Sequence, residues 1–72
     1  MYDYSKLLGR IKEKLGDNFE FAKRMQLSER TISLKLNNKI DFKQSDIIKA
    51  CAILEIALED IYQYFFCLQS SN

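Results

Sequence analysis

The sequence predicts an all-α fold in which five short helices form one compact domain. The chain has 72 residues, no proline and only two glycines, a composition that disfavours loop-rich and β-rich folds. Apolar residues recur at helical spacing in five separate segments. A chain of this length supports a single core, so we assign residues 1–68 to one domain and residues 69–72 to a polar C-terminal tail.

The first two helices are delimited by capping residues. Helix 1 is predicted from about Tyr4 to Leu15, with Asp3 as its N-terminal cap and Gly16 as its C-terminal stop. Helix 2 is predicted from about Asn18 to Met25, because Asp17 precedes it and can accept a hydrogen bond from a free backbone N–H of its first turn.

The third helix follows after a very short connection. It is predicted from about Glu29 to Asn37, with Ser28 as its N-cap. Only Gln26 and Leu27 separate the helix 2 pattern from this cap. Two short helices joined so tightly must cross at a steep angle.

The last two helices complete the domain. Helix 4 is predicted from about Gln44 to Leu54, after a loop that Phe42 anchors, and helix 5 from about Leu58 to Leu68. The buried face of helix 5 is predicted to hold Ile61, Tyr64, Phe65 and Leu68. Two further aromatic residues, Tyr62 and Phe66, lie on other faces, so we expect one of them to be exposed, either singly or as part of a dimer or partner surface.

Charge is distributed unevenly along the chain, although its total is only +1. Residues 1–43 contain ten Lys or Arg and six Asp or Glu, whereas residues 44–72 contain one Lys and four acids. The basic half could face nucleic acid. A mixed, solvated surface is the alternative interpretation.

Several classes of function are disfavoured by what the sequence lacks. There is no histidine for acid–base chemistry and no glycine-rich phosphate loop, so we do not expect an enzyme. Cys51 and Cys67 cannot complete a four-ligand zinc site, and we expect no metal and no other cofactor. In helices these thiols would act as small apolar groups, the alternative being a disulfide or redox role. No segment resembles a membrane span or a signal peptide, which predicts a cytoplasmic protein without a membrane partner.

The segment from Asn18 to Asn38, NFEFAKRMQLSERTISLKLNN, has the residue types of a helix-turn-helix motif. A small residue, Ala22, lies in helix 2 where helix 3 must cross it. Ser28 begins the second helix, and polar side chains long enough to reach base edges follow it. The apolar residues that can join the two helices are Phe21, Met25, Leu27, Ile32 and Leu36.

The run FAKRMQLSERTISLKLNN resembles the phage-repressor and Cro-like (XRE-type) helix-turn-helix family, and the resemblance extends over nearly the whole chain. The opening MYDYSKLLGRIKEK and the segment after Phe42 are similar to small regulators from temperate phages of Gram-positive bacteria, in particular the lactococcal modulators of repression. The resemblance implies a lambda-repressor-like domain in a bacterial host cell. It also implies a protein that works with the phage repressor in the choice between lysis and lysogeny.

Three residues depart from the family pattern. Gln26 stands at the turn position where glycine is frequent, so it must adopt a left-handed backbone or the turn must differ. Leu34 stands at an outward-facing position of helix 3 that is usually polar in DNA readers. Lys35 stands where an apolar core residue is usual. Together these departures suggest that helix 3 is slightly rotated, or that its exposed face is partly apolar.

The outward face of helix 3 is the candidate site for DNA or a protein partner, and it comprises Glu29, Arg30, Ser33, Leu34 and Asn37. Arg30 could pair with guanine or phosphate, the alternative being an exposed arginine in a local pair with Glu29 or another neighbour. Glu29 could accept a hydrogen bond from cytosine or stabilise the helix dipole. Leu34 could contact a thymine methyl, fill a pocket on a partner, or have no role.

Four polar residues near this face are candidates for phosphate contacts: Asn18, Asn38, Lys39 and Lys43. Asn18 opens helix 2, where backbone N–H groups can bind an anion. The other three follow helix 3, and the alternative for them is a helix C-cap at Asn38, in the left-handed region, beside solvated lysines.

The sequence is compatible with two functions. The first is a regulator of the lysis–lysogeny switch that binds the cognate phage repressor, with weak or conditional binding to operator DNA. The second is a stand-alone Cro-like repressor that reads an operator as a dimer. Association of the free protein as a weak homodimer is compatible with either function. The nature of helix 3 discriminates between them, because Leu34 and a near-zero net charge favour a protein partner.

Overall fold

The computed structural model describes residues 1–69 and confirms the all-α fold: within this range the chain forms five α-helices. A 3₁₀ turn at Leu58–Asp60 leads directly into the last helix. The helices are α1 Ser5–Leu15, α2 Asn18–Met25, α3 Glu29–Leu36, α4 Gln44–Leu54 and α5 Ile61–Phe65. None of the helices within residues 1–69 is long and apolar enough to cross a membrane.

Side chains satisfy free N–H groups at the start of α2 and α3, as the sequence predicts. The Asp17 carboxylate accepts a hydrogen bond from the Glu20 N–H at 2.9 Å, and the Ser28 hydroxyl accepts one from the Thr31 N–H at 3.0 Å. At α1 the prediction of an Asp3 cap is wrong, because the helix begins at Ser5, Tyr4 stands at the N-cap position, and no side chain caps the helix. Asp3 instead accepts a hydrogen bond from the Ser5 N–H at 2.9 Å. The caps at α2 and α3 each stabilise a helix by about 1 kcal/mol, which explains why the starts of these two helices were predictable.

One core joins all five helices. Its fully buried side chains come from α1, α2, α3, α4 and α5, and the largest of them are Phe21, Phe65, Leu7, Ile11, Ile32 and Leu54. Such a core fixes which face of each helix remains available to solvent or to a partner.

The turn between α2 and α3 uses the left-handed backbone, one of the two alternatives for its glycine-free sequence. Gln26 has φ 61° and ψ 37°, and the Leu27 N–H donates to the Ala22 carbonyl at 3.0 Å. Lys49 of α4 supports this strained residue, because its ammonium donates to the Met25 carbonyl at 3.1 Å and to the Gln26 side-chain carbonyl at 2.7 Å. Sequence patterns do not indicate this contact.

The C-terminal segment differs from the prediction of a helix that continues to Leu68. The α5 helix ends at Phe65, and residues 67–69 then run antiparallel to residues 1–3. The Asp3 N–H donates to the Cys67 carbonyl at 2.6 Å, and the Gln69 N–H donates to the Met1 carbonyl at 3.0 Å. These bonds satisfy backbone groups that another helical turn would otherwise pair.

Consequently the predicted burial of Leu68 is wrong, since this side chain is 65% exposed. Phe65 is in the core as predicted, whereas Tyr64 is only half-buried. Both Tyr62 and Phe66 are exposed, rather than one of them. The predicted polar tail begins at Gln69, and its residues 70–72 lie outside the described range.

Both cysteines are free thiols. Cys51 is buried in the core, and burial raises the pKa of its thiol. It therefore serves as a small apolar side chain, because a thiol with a raised pKa is a poor nucleophile at neutral pH.

Candidate interaction face on helix α3

The inner side of α3 is fixed by two residues one helical turn apart. Ile32 is fully buried and Leu36 is 8% exposed. Both belong to the same core cluster as Ala22 and Met25 of α2. Because this side of α3 packs inward, the opposite side must face solvent.

Lys35 is also buried on the inner side, at 4% exposure. Its ammonium lies 2.9 Å from an Asp46 carboxylate oxygen, donates to the Asp41 carbonyl at 2.8 Å, and lies 5.7 Å from the centre of the Phe42 ring. The core position that is usually apolar therefore holds a fully paired charge. The rotation of α3 that Lys35 suggested is not needed.

Asp46 is the counter-charge for this lysine and also begins α4. Burial alone would raise the pKa of its carboxyl group, but hydrogen bonds from the Lys35 ammonium and the Lys43 N–H, with the positive charges of both lysines, lower the pKa overall. The Lys43 N–H donates to the carboxylate at 3.0 Å. The pair thus connects α3 to the start of α4 across the intervening loop.

Four of the five residues predicted for the outward face of α3 are exposed: Glu29, Arg30, Ser33 and Asn37. The expected alternative for Arg30, an ion pair with Glu29, is not formed, and within residues 1–69 neither side chain makes an ion pair. Asn37 donates to the Ser33 carbonyl at 2.8 Å and to its hydroxyl at 3.3 Å. The charged pair therefore remains available, whereas Asn37 is partly engaged in ending the helix.

Leu34 is half-buried, not fully exposed as its outward-facing position suggested. The chain turns back at this point, because the N–H groups of Lys39 and Ile40 both donate to the Leu34 carbonyl, at 2.8 and 3.4 Å. The face therefore presents a partly covered apolar centre with exposed polar residues around it.

Asn38 adopts the predicted left-handed backbone, with φ 61°. Its side chain is not free for phosphate, however. The side-chain carbonyl accepts from the Tyr2 N–H at 2.9 Å, and the side-chain amide donates to the Tyr2 carbonyl at 3.0 Å. Asn38 thereby ties the end of α3 to the N-terminal segment, a contact across 36 residues that sequence patterns do not reveal.

The other phosphate candidates are exposed and differ in their surroundings. Lys39 and Lys43 make no ion pair within residues 1–69 and can approach an anion freely. Asn18 is exposed at the first turn of α2, but the carboxylate of Asp17 already accepts an N–H of that turn. A phosphate at this helix end would meet like charge, which disfavours the contact.

Comparison with known proteins identifies the family of the chain and a closely similar solved structure. Residues 1–67 match the family model described as "Protein of unknown function (DUF739)". No curated protein matches the chain. Among solved structures, the chain is similar to the solution structure of the modulator of repression (MOR) of the temperate bacteriophage TP901-1 from Lactococcus lactis. The identity is 55%, the TM-score is 0.82, and the match covers 90% of this chain and 88% of that one.

This neighbour confirms the similarity to modulators of repression and agrees with the five-helix architecture of residues 1–69. Because the family model spans nearly the entire chain, this protein belongs to the DUF739 family, and its fold is that of a phage modulator of repression.

Proposed function

We propose that this protein regulates the lysis–lysogeny switch of a temperate phage by forming a complex with the cognate phage repressor. The identity of 55% to a phage modulator of repression over 90% of the chain supports the general role. The mechanism proposed is non-catalytic and consists of protein–protein recognition through α3.

The observation that carries the proposal is the unpaired, mixed charge on the outward face of α3. Glu29 and Arg30 are both exposed and neither is neutralised within the described part of the chain. A carboxylate at this place is repelled by DNA phosphates, but it is attracted by the basic, DNA-reading surface of a repressor. With a net charge of only +1, the chain gains little affinity from neutralising phosphates.

The shape of the face supports the same partner. Leu34 is a partly covered apolar residue, and the residues exposed around it are polar or charged. Protein interfaces have this arrangement of an apolar centre within a polar rim. Binding there would cover the DNA-reading surface of the repressor and change repression without any base being read.

A gel-shift assay on the native switch promoter tests the proposal. Its three arms contain this protein alone, the repressor alone, and both together. We expect no specific shift with this protein alone and a change in the intensity or mobility of the repressor–promoter band when both are present. A repressor band that is unaffected by excess of this protein would contradict the proposed complex.

The substitution Glu29→Lys is expected to weaken the complex roughly tenfold, which corresponds to about 1.4 kcal/mol, because it places a second positive charge against a basic surface. Calorimetric titration with the repressor measures the effect. Glu59→Lys is the matched control, since Glu59 is also exposed but lies in the turn before α5. Equal affinities for the two variants would place the interface away from α3.

The second candidate, a stand-alone operator-binding repressor, is favoured by the exposed cations Arg30, Lys39 and Lys43. If the protein binds DNA in this way, Lys39→Ala should lower the slope of log K against log salt by about 1. Arg30→Ala should also relax sequence preference. Lys12→Ala on α1 is the control, being exposed and without an ion pair in residues 1–69. Absence of salt-dependent binding by the wild type at low ionic strength would exclude this candidate.

A further inference from the structure

Five aromatic rings form a continuous chain of contacts where residues 1–4 meet the segment around the end of α5. Phe66 meets Tyr2 edge-to-face, with ring centres 5.9 Å apart, and Tyr2 lies 6.1 Å from Tyr4. Phe42 meets both Tyr4 and Phe65 edge-to-face, at 5.4 and 5.3 Å. The rings come from the N-terminal segment, the loop after α3, and the end of α5, so only the folded chain brings them together.

These rings surround an open cavity of about 240 Å³, which Ile47 of α4 also lines. Asp41 completes the lining. It is exposed and makes no ion pair within residues 1–69. No residue of the α3 face lines this cavity, so it is separate from the surface proposed for the repressor.

The electrostatic character of the cavity favours a cation. The faces of aromatic rings are negative, and the carboxylate of Asp41 adds a full negative charge. Burial raises the pKa of the Tyr4 hydroxyl, and the charges of Tyr2 and Asp41 raise it further, so this hydroxyl stays neutral and can accept a hydrogen bond. The buried ammonium of Lys35, which lies 5.7 Å from the centre of the Phe42 ring, is already neutralised by Asp46 at 2.9 Å.

We propose that this cavity binds the guanidinium group of an arginine side chain presented by a protein partner. A planar guanidinium stacks on aromatic rings and pairs with a carboxylate through two parallel hydrogen bonds, which the compact ammonium of lysine cannot reproduce. The apolar walls accommodate the methylene stem of the same side chain. The assignment does not depend on the switch function, because it uses a different surface.

Nuclear magnetic resonance titration of the full chain with N-acetyl-arginine methylamide tests the site. We expect chemical-shift changes at the cavity rings and not on α3, with weak affinity for the isolated side chain. The neutral isostere N-acetyl-citrulline methylamide should bind at least fivefold more weakly, since it has no charge for the rings and the carboxylate to attract. Equal shifts from the two compounds, or none at the rings, would overturn the proposal.

The variant Asp41→Asn separates the charge of the cavity from its shape. Because Asp41 is exposed and the lysine hydrogen bond at this position uses its backbone carbonyl, the fold should be preserved. We expect the affinity for the arginine compound to fall about threefold and the affinity for citrulline to stay unchanged. Glu59→Gln, which removes an exposed carboxylate elsewhere, should change neither. Unchanged arginine binding in Asp41→Asn would refute the role of the carboxylate. If the wild type bound N-acetyl-lysine methylamide more tightly than the arginine compound, the assignment to arginine would be refuted.

Discussion

Replacing Asp46 by alanine is expected to lower the free energy of unfolding by about 3–5 kcal/mol, since it removes one partner of a buried ion pair. The Lys35 side chain is only 5% exposed and would be left without its counter-ion. The same change removes the hydrogen bond from the Lys43 N–H at the start of α4. Urea denaturation followed by circular dichroism measures the loss.

The reciprocal variant, Lys35→Met, is the control and should change stability by less than about 1.5 kcal/mol. Methionine retains an apolar stem and leaves no buried cation. Asp46, at 16% side-chain exposure, still accepts from the Lys43 N–H and can be solvated. If Lys35→Met were as destabilising as Asp46→Ala, the desolvated charge would not be the cause.

The ion pair between Lys35 and Asp46 should also affect how stability depends on pH. The pKa of Asp46 is lower in the folded protein than its ordinary value of 3.8. A carboxyl group whose pKa is lowered by folding stabilises the fold at neutral pH, because this pH lies above its pKa in the unfolded chain. The stabilisation is lost as the pH falls through the lowered folded-state value. Unfolding free energy should therefore decline more steeply below about pH 4 in the wild type than in Asp46→Asn.

The helices that sequence patterns predicted best are those whose ends depend on local chemistry. The boundaries of α2 and α4 agree with the prediction to the residue, and α3 ends at Leu36, one residue before the expected end. At α2 and α3, a capping side chain lies within three residues of the N–H that it satisfies. Such short-range rules do not need knowledge of the rest of the fold.

The end of α5 could not be predicted in the same way. Apolar and aromatic residues continue at helical spacing as far as Leu68, so periodicity alone extends the helix. The chain instead pairs Cys67 and Gln69 with the N-terminal segment. That choice depends on contacts across nearly the whole sequence, which outweigh the local pattern.

On the candidate face of α3, local sequence patterns likewise predicted some features, whereas others depend on contacts with distant residues. Helical periodicity correctly placed Glu29 and Arg30 outward and Ile32 inward. It could not show how Lys35 is tolerated, because the counter-charge belongs to another helix. The left-handed backbone of Asn38 was predictable from its residue type, whereas the engagement of its side chain by Tyr2 was not.

The second large effect is expected for Ile32→Ala, which should lower the free energy of unfolding by about 2–5 kcal/mol. Ile32 is fully buried on the inner side of α3, so truncation removes apolar contacts and leaves a cavity between α3 and the core. Small domains have total stabilities of only about 5–15 kcal/mol, and a loss of this size should shift the thermal midpoint markedly.

Ile48→Ala is the matched control for this variant, because the same group is removed from a side chain that is 49% exposed on α4. It should change the free energy of unfolding by no more than about 0.5 kcal/mol. Thermal and urea denaturation of the two variants side by side measure the difference. Should Ile32→Ala melt like the wild type, the inner face of α3 would be assigned wrongly, and with it the outward face on which repressor binding is proposed.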